Sequence, residues 1–190
     1  MKLPIALSNR HLHLSKEDIE ALFGQDYSLT KSKDLSQPGQ YACEEKVDIE
    51  GPKGIIKGVR VLGPARKRTQ IEISFADSRT LGLKAPVRDS GDIDGSPGAK
   101  LIGPKGEVEI AKGIIIASRH IHMSPEDAND FGVKDMETVQ IETSGERAVV
   151  FKNVLVRVHP NFSLEMHVDI EEGNAAGLSN GDKVELLKEV

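Results

Sequence analysis

The sequence predicts a β-rich protein folded as a duplicated unit, as two packed barrels or a pseudo-twofold sandwich. Three observations predict it: two copies of a His-x-His segment, short stretches of alternating polar and apolar residues, and frequent Gly and Pro turns. The first copy is IALSNRHLHLSKEDIEALFG at 5–24, and the second is IIASRHIHMSPEDANDFG at 115–132. Each has an apolar lead-in, a Ser, an Arg immediately before His-x-His, a second Ser, and a short acidic helix ending near Gly. VRVLGPARKRTQIEISFADSRTLGL at 59–83 and VRVHPNFSLEMHVDIEEGNAAGL at 156–178 continue the match. Aligning Gly82 with Gly177 gives an offset of 95 (177 − 82) and sets Glu72 opposite His167. SGDI at 90–93 likewise resembles NGDKV at 180–184. The first copy is longer, with 61 residues from His11 to Glu72 (72 − 11) against 47 from His120 to His167 (167 − 120). The excess falls in the polar insert QDYSLTKSKDLSQPGQYACE, residues 25–44.

Taken in chain order, HLHL and HIHM have the two-residue period of a half-buried strand, so both histidines of a pair share one face. The next Ser caps a helix: Ser15 has Asp18 three residues on, while Ser124 is followed by Pro125 and has Asp127 three residues on. In QIEIS, Ile71 and Ile73 face one way and Glu72 the other. In LEMHVDI, Leu164, Met166, Val168 and Ile170 face one way and His167 the other. The turns GPKG, DGSPG and NGD separate these short strands and argue against a helical bundle or a parallel α/β sheet.

The 190 residues, 38% hydrophobic and 29% charged, suit a globular chain able to bury a core and exclude disorder and collagen. A net charge of −5 argues against nucleic acid as the main partner. No run has the ~18 apolar residues of a membrane helix, and MKLPIALSNRH lacks the order of a signal peptide. A cytoplasmic location is expected. The single Cys43 excludes an internal disulfide, leaving the fold to rest on its core or on metals, and reads as a free thiol.

Histidines two apart on a strand have Cα atoms roughly 6.6 Å apart and can reach one ion. The repeat supplies a third donor to each pair, so two three-ligand sites are expected: His11, His13 and Glu72, and His120, His122 and His167. Three protein ligands leave a position open, as catalytic metals require. A single His-x-His arises by chance on exposed strands; two copies with matched third donors point to metal. The structural alternative is a capping histidine preserved by duplication. His159 has only Gly63 or Pro64 opposite it and stays outside both sites. Arg10, Arg60, Arg66, Lys67 and Arg68 flank the first set and suit phosphate, although a solvated basic loop would also explain them. Neither GxxxxGK[ST] nor a strand-linked GxGxxG is present, which argues against ATP or dinucleotide binding on familiar loops. A di-metal hydrolase of thioesters or phosphate esters and a zinc-stabilised binding module remain open on this chemistry alone.

SNRHLHLS and ASRHIHMSPED, with RVLGPARKRTQIEIS, PVRDSGDIDGSPG and FSLEMHVDIEEGNAAGL, resemble the PduL-type phosphotransacylases, also called phosphate propanoyltransferases. The resemblance covers almost the whole chain, with its motifs in order. It implies acyl-CoA + phosphate ⇌ acyl phosphate + CoA on two adjacent zinc ions, with acetyl-CoA or propanoyl-CoA as substrate. His11, His13 and Glu72 would hold the first zinc, to which the CoA sulfur also binds; His120, His122, His167 and solvent would hold the second. Arg66 would orient phosphate, and Lys33, Arg60, Ser90 and Asn174 would contact CoA. The implied fold is mainly β: two small β-barrels from the duplication, capped by short α-helices, with the active site between them. One barrel would comprise 1–9 and 118–190, its N-terminal strand crossing over to join the second repeat, and the other 10–117. A homodimer or higher homo-oligomer is expected. Microcompartment members carry an N-terminal targeting helix, whereas the repeat here begins at residue 5, so a free cytoplasmic enzyme is the expectation.

Overall fold

A computed structural model describes residues 1–187; the final three residues of the expected 118–190 segment lie outside them. In chain order the elements are β1 (Lys2–Ser8), β2 (His11–His13), α1 (Lys16–Phe23), β3 (Lys31–Asp34), β4 (Tyr41–Glu50), β5 (Ile55–Gly63) and β6 (Gln70–Glu72). Next come α2 (Phe75–Leu81), β7 (Val87–Arg88), β8 (Ala99–Ile102), β9 (Glu107–Ile110), β10 (Ile114–Ala117) and β11 (His120–Met123). The chain continues through α3 (Pro125–Phe131), β12 (Thr138–Glu142), β13 (Val150–Val158), β14 (Glu165–Asp169), α4 (Ile170–Ala176) and β15 (Lys183–Leu187). The protein is mainly β, with four short helices among the described residues, and divides into two compact units.

One unit joins Met1–Asn9 to the chain from Ser118 onward. Its strands close into a six-stranded barrel in the order β1-β14-β11-β13-β12-β15. The N-terminal strand completes that barrel, running parallel to β14 with Ala6 opposite His167 and antiparallel to β15. Leu3, Ile5, Ile121, Val154, Val156 and Met166 fill its interior and are essentially inaccessible to water.

The other unit, Arg10–Ala117, is a nine-stranded sheet in the order β7-β10-β6-β2-β5-β4-β8-β9, with β3 paired to β4. It forms a half-barrel around Leu12, Leu14, Leu22, Ile49, Val61, Ile71 and Leu101. Strand β10 reads IIIA because it pairs in parallel with β6 and β7 and its isoleucines are buried on both faces. Cys43 is a free, fully buried thiol on β4 within this core. Burial pushes its pKa up to about 11.

Helix starts follow the Ser signals. Ser15, Ser74, Ser124 and Asp169 accept hydrogen bonds from the main-chain N–H of Asp18, Asp77, Asp127 and Glu172. The last three helices have reciprocal capping boxes. In α1 the Asp18 carboxylate instead accepts from the Thr69 hydroxyl, which ties the helix to the chain entering β6. Gly82 and Gly177 end α2 and α4 in the left-handed region, φ 74° and 67°, which accounts for a glycine at both positions. One expectation differs: Ile170 does not continue the apolar face of β14, because Asp169 ends the strand by capping α4.

Gly98 lies where a side chain has no room, since a Cβ there would sit 1.7 Å from the Ile110 carbonyl oxygen. Gly98→Ala is expected to destabilise the protein by ~3 kcal/mol, with β8 and β9 forced apart. Urea unfolding measures this, and an unchanged midpoint would contradict the close approach.

Candidate metal centre

In Arg10–Ala117 the three-residue strand β2 lies between β5, to which it is parallel, and β6, to which it is antiparallel. The register places His11 opposite Glu72 and His13 opposite Gln70. Leu12 and Ile71 point into the core at 0% exposure, so His11, His13 and Glu72 share the other face. That face is not a solvated surface, because His13, Gln70 and Glu72 are all buried. One donor atom from each of His11, His13 and Glu72 lies within 4.8 Å of the others, a group able to hold a metal ion. His11 Nε2 stands 3.4 Å from Glu72 Oε2.

The nitrogen tautomers follow from the partners. Arg66 Nη2 is 2.9 Å from His13 Nε2, and a guanidinium can only donate, so Nε2 carries a lone pair. Burial, then Arg66 and His11, pushes the His13 pKa down to about 3, so the imidazole is neutral, with the lone pair that a metal would use turned to Arg66. Arg66 is anchored by its main-chain N–H to Leu14 O at 2.9 Å, just beyond β2. Its side chain also reaches Ser90 Oγ at 3.4 Å.

The barrel unit repeats this arrangement. Strand β11 runs parallel to β13 and antiparallel to β14, with His120 opposite His167 and His122 opposite Glu165. The three imidazole centroids are 4.7, 4.8 and 5.1 Å apart. His120 Nδ1 lies 2.8 Å from the Ser118 carbonyl, which can only accept, leaving Nε2 with its lone pair. His122 Nδ1 and His167 Nε2 are buried without a hydrogen-bond partner, although Glu165 Oε2 is 3.1 Å from the latter. Burial, then His120 and His167, pushes His122 down to about 2. Two buried nitrogens without partners make this trio a second candidate set, while among the described residues the donor atoms that come within 4.8 Å of one another are those of His11, His13 and Glu72.

Arg10 and Arg119, each immediately before its His-x-His, have matching partners that sequence reasoning missed. Arg10 Nε donates to both oxygens of Asp77 at 3.0 and 2.9 Å, and its Nη2 lies 2.7 Å from Oδ1. Arg119 Nε lies 2.8 Å from Glu172 Oε1. Asp77 and Glu172 close the capping boxes of the helices that follow Glu72 and His167. Each ion pair therefore braces the start of a His-x-His strand against the end of its partner strand. The signal was present in the same offset of 95 (172 − 77).

The remaining candidates are dispersed. Arg60, opposite His11 on β5, donates to the Cys43 carbonyl. Lys33 is exposed on β3, Asn174 is exposed on α4 in the barrel unit, and His159 is exposed beyond β13. Ser90 Oγ donates to Glu72 Oε1 at 2.9 Å and accepts from Gln70 and Arg66, which uses its full capacity. Any contact of Ser90 with CoA would then fall to its main chain.

A duplicated β protein with a His/His/Glu group and a second His trio defines a candidate metalloenzyme. Residues 4–179 match the phosphate propanoyltransferase family. The chain is 56% identical to a phosphate propanoyltransferase of Thermotoga maritima, over 97% of this chain and 88% of that protein. It is 52% identical to one of Clostridioides difficile, over 98% and 89%, and 53% identical to one of Rhodobacter capsulatus, over 98% and 86%. The chain belongs to the phosphate propanoyltransferase family. No helix among the described residues is long and apolar enough to cross a membrane.

The depressed histidines set a pH dependence. Unfolded, His13 and His122 take up protons below their ordinary 6.5, while folded they stay neutral to about 3 and 2. The unfolded chain therefore binds more protons over that window, and stability falls as pH falls. Each contributes up to ~1.4 kcal/mol per pH unit. The urea midpoint of metal-stripped protein should drop steadily below about pH 6.5; a flat midpoint down to about pH 4.5 would contradict neutral burial.

Proposed function

We propose that the protein transfers a propanoyl or acetyl group between CoA and inorganic phosphate, using two zinc ions per chain. His11, His13 and Glu72 would hold one ion, and His120, His122 and His167 the other. The observation that carries this reading is the Arg66 guanidinium, anchored 2.9 Å from His13 Nε2 beside the three-donor group. A cation fixed next to metal donors is a seat for a phosphate oxyanion. Family membership supports the same reaction.

In the forward direction a phosphate oxygen attacks the thioester carbonyl carbon, the carbon–sulfur bond breaks, and CoA leaves as the thiolate. Arg66 donates to phosphate and holds it in line with the carbonyl, so that binding supplies the orientation. Bound zinc would supply Lewis acidity for developing negative charge and a soft partner for sulfur. The Arg10–Asp77 brace holds β2 against β6, and Ser74, at 5% exposure, caps α2 immediately behind that pairing. No acyl-enzyme is needed. Cys43, the one thiol, is fully buried with its pKa raised to about 11, which makes it a poor nucleophile. Lys33, Arg60, Ser90 and Asn174 are the proposed CoA contacts, a homo-oligomer the proposed assembly, and the reducing cytoplasm the proposed location.

Propanoyl-CoA incubated with the protein should release CoA only when phosphate is present, with propanoyl phosphate formed in equal amount. CoA release without phosphate would instead identify a hydrolase. Arg66→Ala is expected to raise the KM for phosphate at least 10-fold, with a much smaller effect on the KM for propanoyl-CoA. An unchanged response to phosphate would remove Arg66 from this role.

A further inference from the structure

Gln70 belongs to neither proposed ligand set, yet its side chain joins every polar group behind Glu72. It stands two residues before Glu72 on β6, opposite His13, and is 2% exposed. A buried amide must find its partners within the protein. The Gly91 main-chain N–H donates to Gln70 Oε1 at 2.8 Å. A main-chain N–H cannot accept, so this contact fixes which way the amide points. The amide nitrogen faces the other way and donates to Glu72 Oε1 at 2.7 Å and to Ser90 Oγ at 2.9 Å. Ser90 closes the triangle by donating its own proton to Glu72 Oε1 at 2.9 Å.

Glu72 Oε1 thus accepts two hydrogen bonds, while Oε2 faces His11 Nε2 at 3.4 Å. A carboxylate oxygen has about two lone-pair sites, and here both are taken by neutral donors. We propose that Gln70 is a positioning residue which, with Ser90, occupies Glu72 Oε1, so that Glu72 meets a metal ion through Oε2 alone. Single-oxygen binding keeps coordination positions free for substrate, which a chelating carboxylate would close. The inference rests on the reading that His11, His13 and Glu72 hold an ion.

The duplicated half supports a matched role over buried filler. The offset of 95 places Glu165 at the Gln70 position (165 − 70), and Glu165 pairs with His122 as Gln70 pairs with His13. There the third residue is an imidazole and the neighbour a carboxylate, whose Oε2 lies 3.1 Å from His167 Nε2 without a hydrogen bond between them. An amide donor stands beside the carboxylate, and a carboxylate beside the imidazole. The polarity at this position follows the third residue.

The test is Gln70→Met, close in shape but unable to donate. Metal-stripped full-length wild type, Gln70→Met and His11→Ala are titrated with Zn2+ against a chromophoric chelator. Infrared difference spectra then report the separation of the two carboxylate stretches, wide for one-oxygen binding and narrow for two. Gln70→Met is expected to weaken one zinc class 10–100-fold, leave the other unchanged and narrow the carboxylate separation. The metal-free melting temperature should stay within a few degrees of wild type, which a merely structural role would not predict. Wild-type affinity and spectrum in Gln70→Met, alongside weakened binding in His11→Ala, would overturn the positioning role alone. Wild-type binding in His11→Ala would overturn the metal site, and the positioning role with it. If Gln70→Met does not fold, Ser90→Ala removes the other donor to Oε1 without altering β6 and should narrow the separation likewise. A wild-type spectrum there would overturn the proposal.

Discussion

The pairing of each His-x-His strand with the strand bearing its third donor is the constraint on which the site depends. In both units that short strand is held from two sides, parallel on one and antiparallel on the other. Side chains alternate across a strand, so a slip of one residue would turn both histidines into the core and expose Leu12 or Ile121. Those two residues are 0% exposed, and their burial opposes the slip. The apolar core therefore fixes the register, and the register converges the donors. Arg10–Asp77 and Arg119–Glu172 brace the same pairings from outside.

Burial shapes the chemistry as well as the geometry. A histidine in water at neutral pH is partly protonated, and a proton on its donor nitrogen blocks a metal. Removing His13 and His122 from solvent keeps them neutral. Arg66 adds a fixed positive charge to the first group, which opposes protonation of His13 and attracts an anion.

Much of this was legible in the sequence because the duplication supplied an internal comparison. The period of HLHL and HIHM, the Ser caps at 15 and 124, and the offset that paired Glu72 with His167 all correspond to local geometry in the structure. Less legible were contacts made across the sheet. Gln70 carries no signal in the sequence, yet it is buried, with Ser90 and Gly91 from about twenty residues later bonded to its amide. Periodicity reports which face a residue takes and says nothing of what covers that face. The duplication pointed to two barrels, but not to one closing while the other remains a half-barrel, since β3 lies in the insert and β8 and β9 arise from a segment without a counterpart in the repeat.

The account turns on two donor sets made by one duplicated strand pairing, so metal content tests it most directly. Elemental analysis of protein purified without chelator should give close to two zinc ions per chain, falling to about one in His167→Ala and about one in Glu72→Ala. Fully active wild-type protein free of metal, or variants that retain both ions, would contradict it.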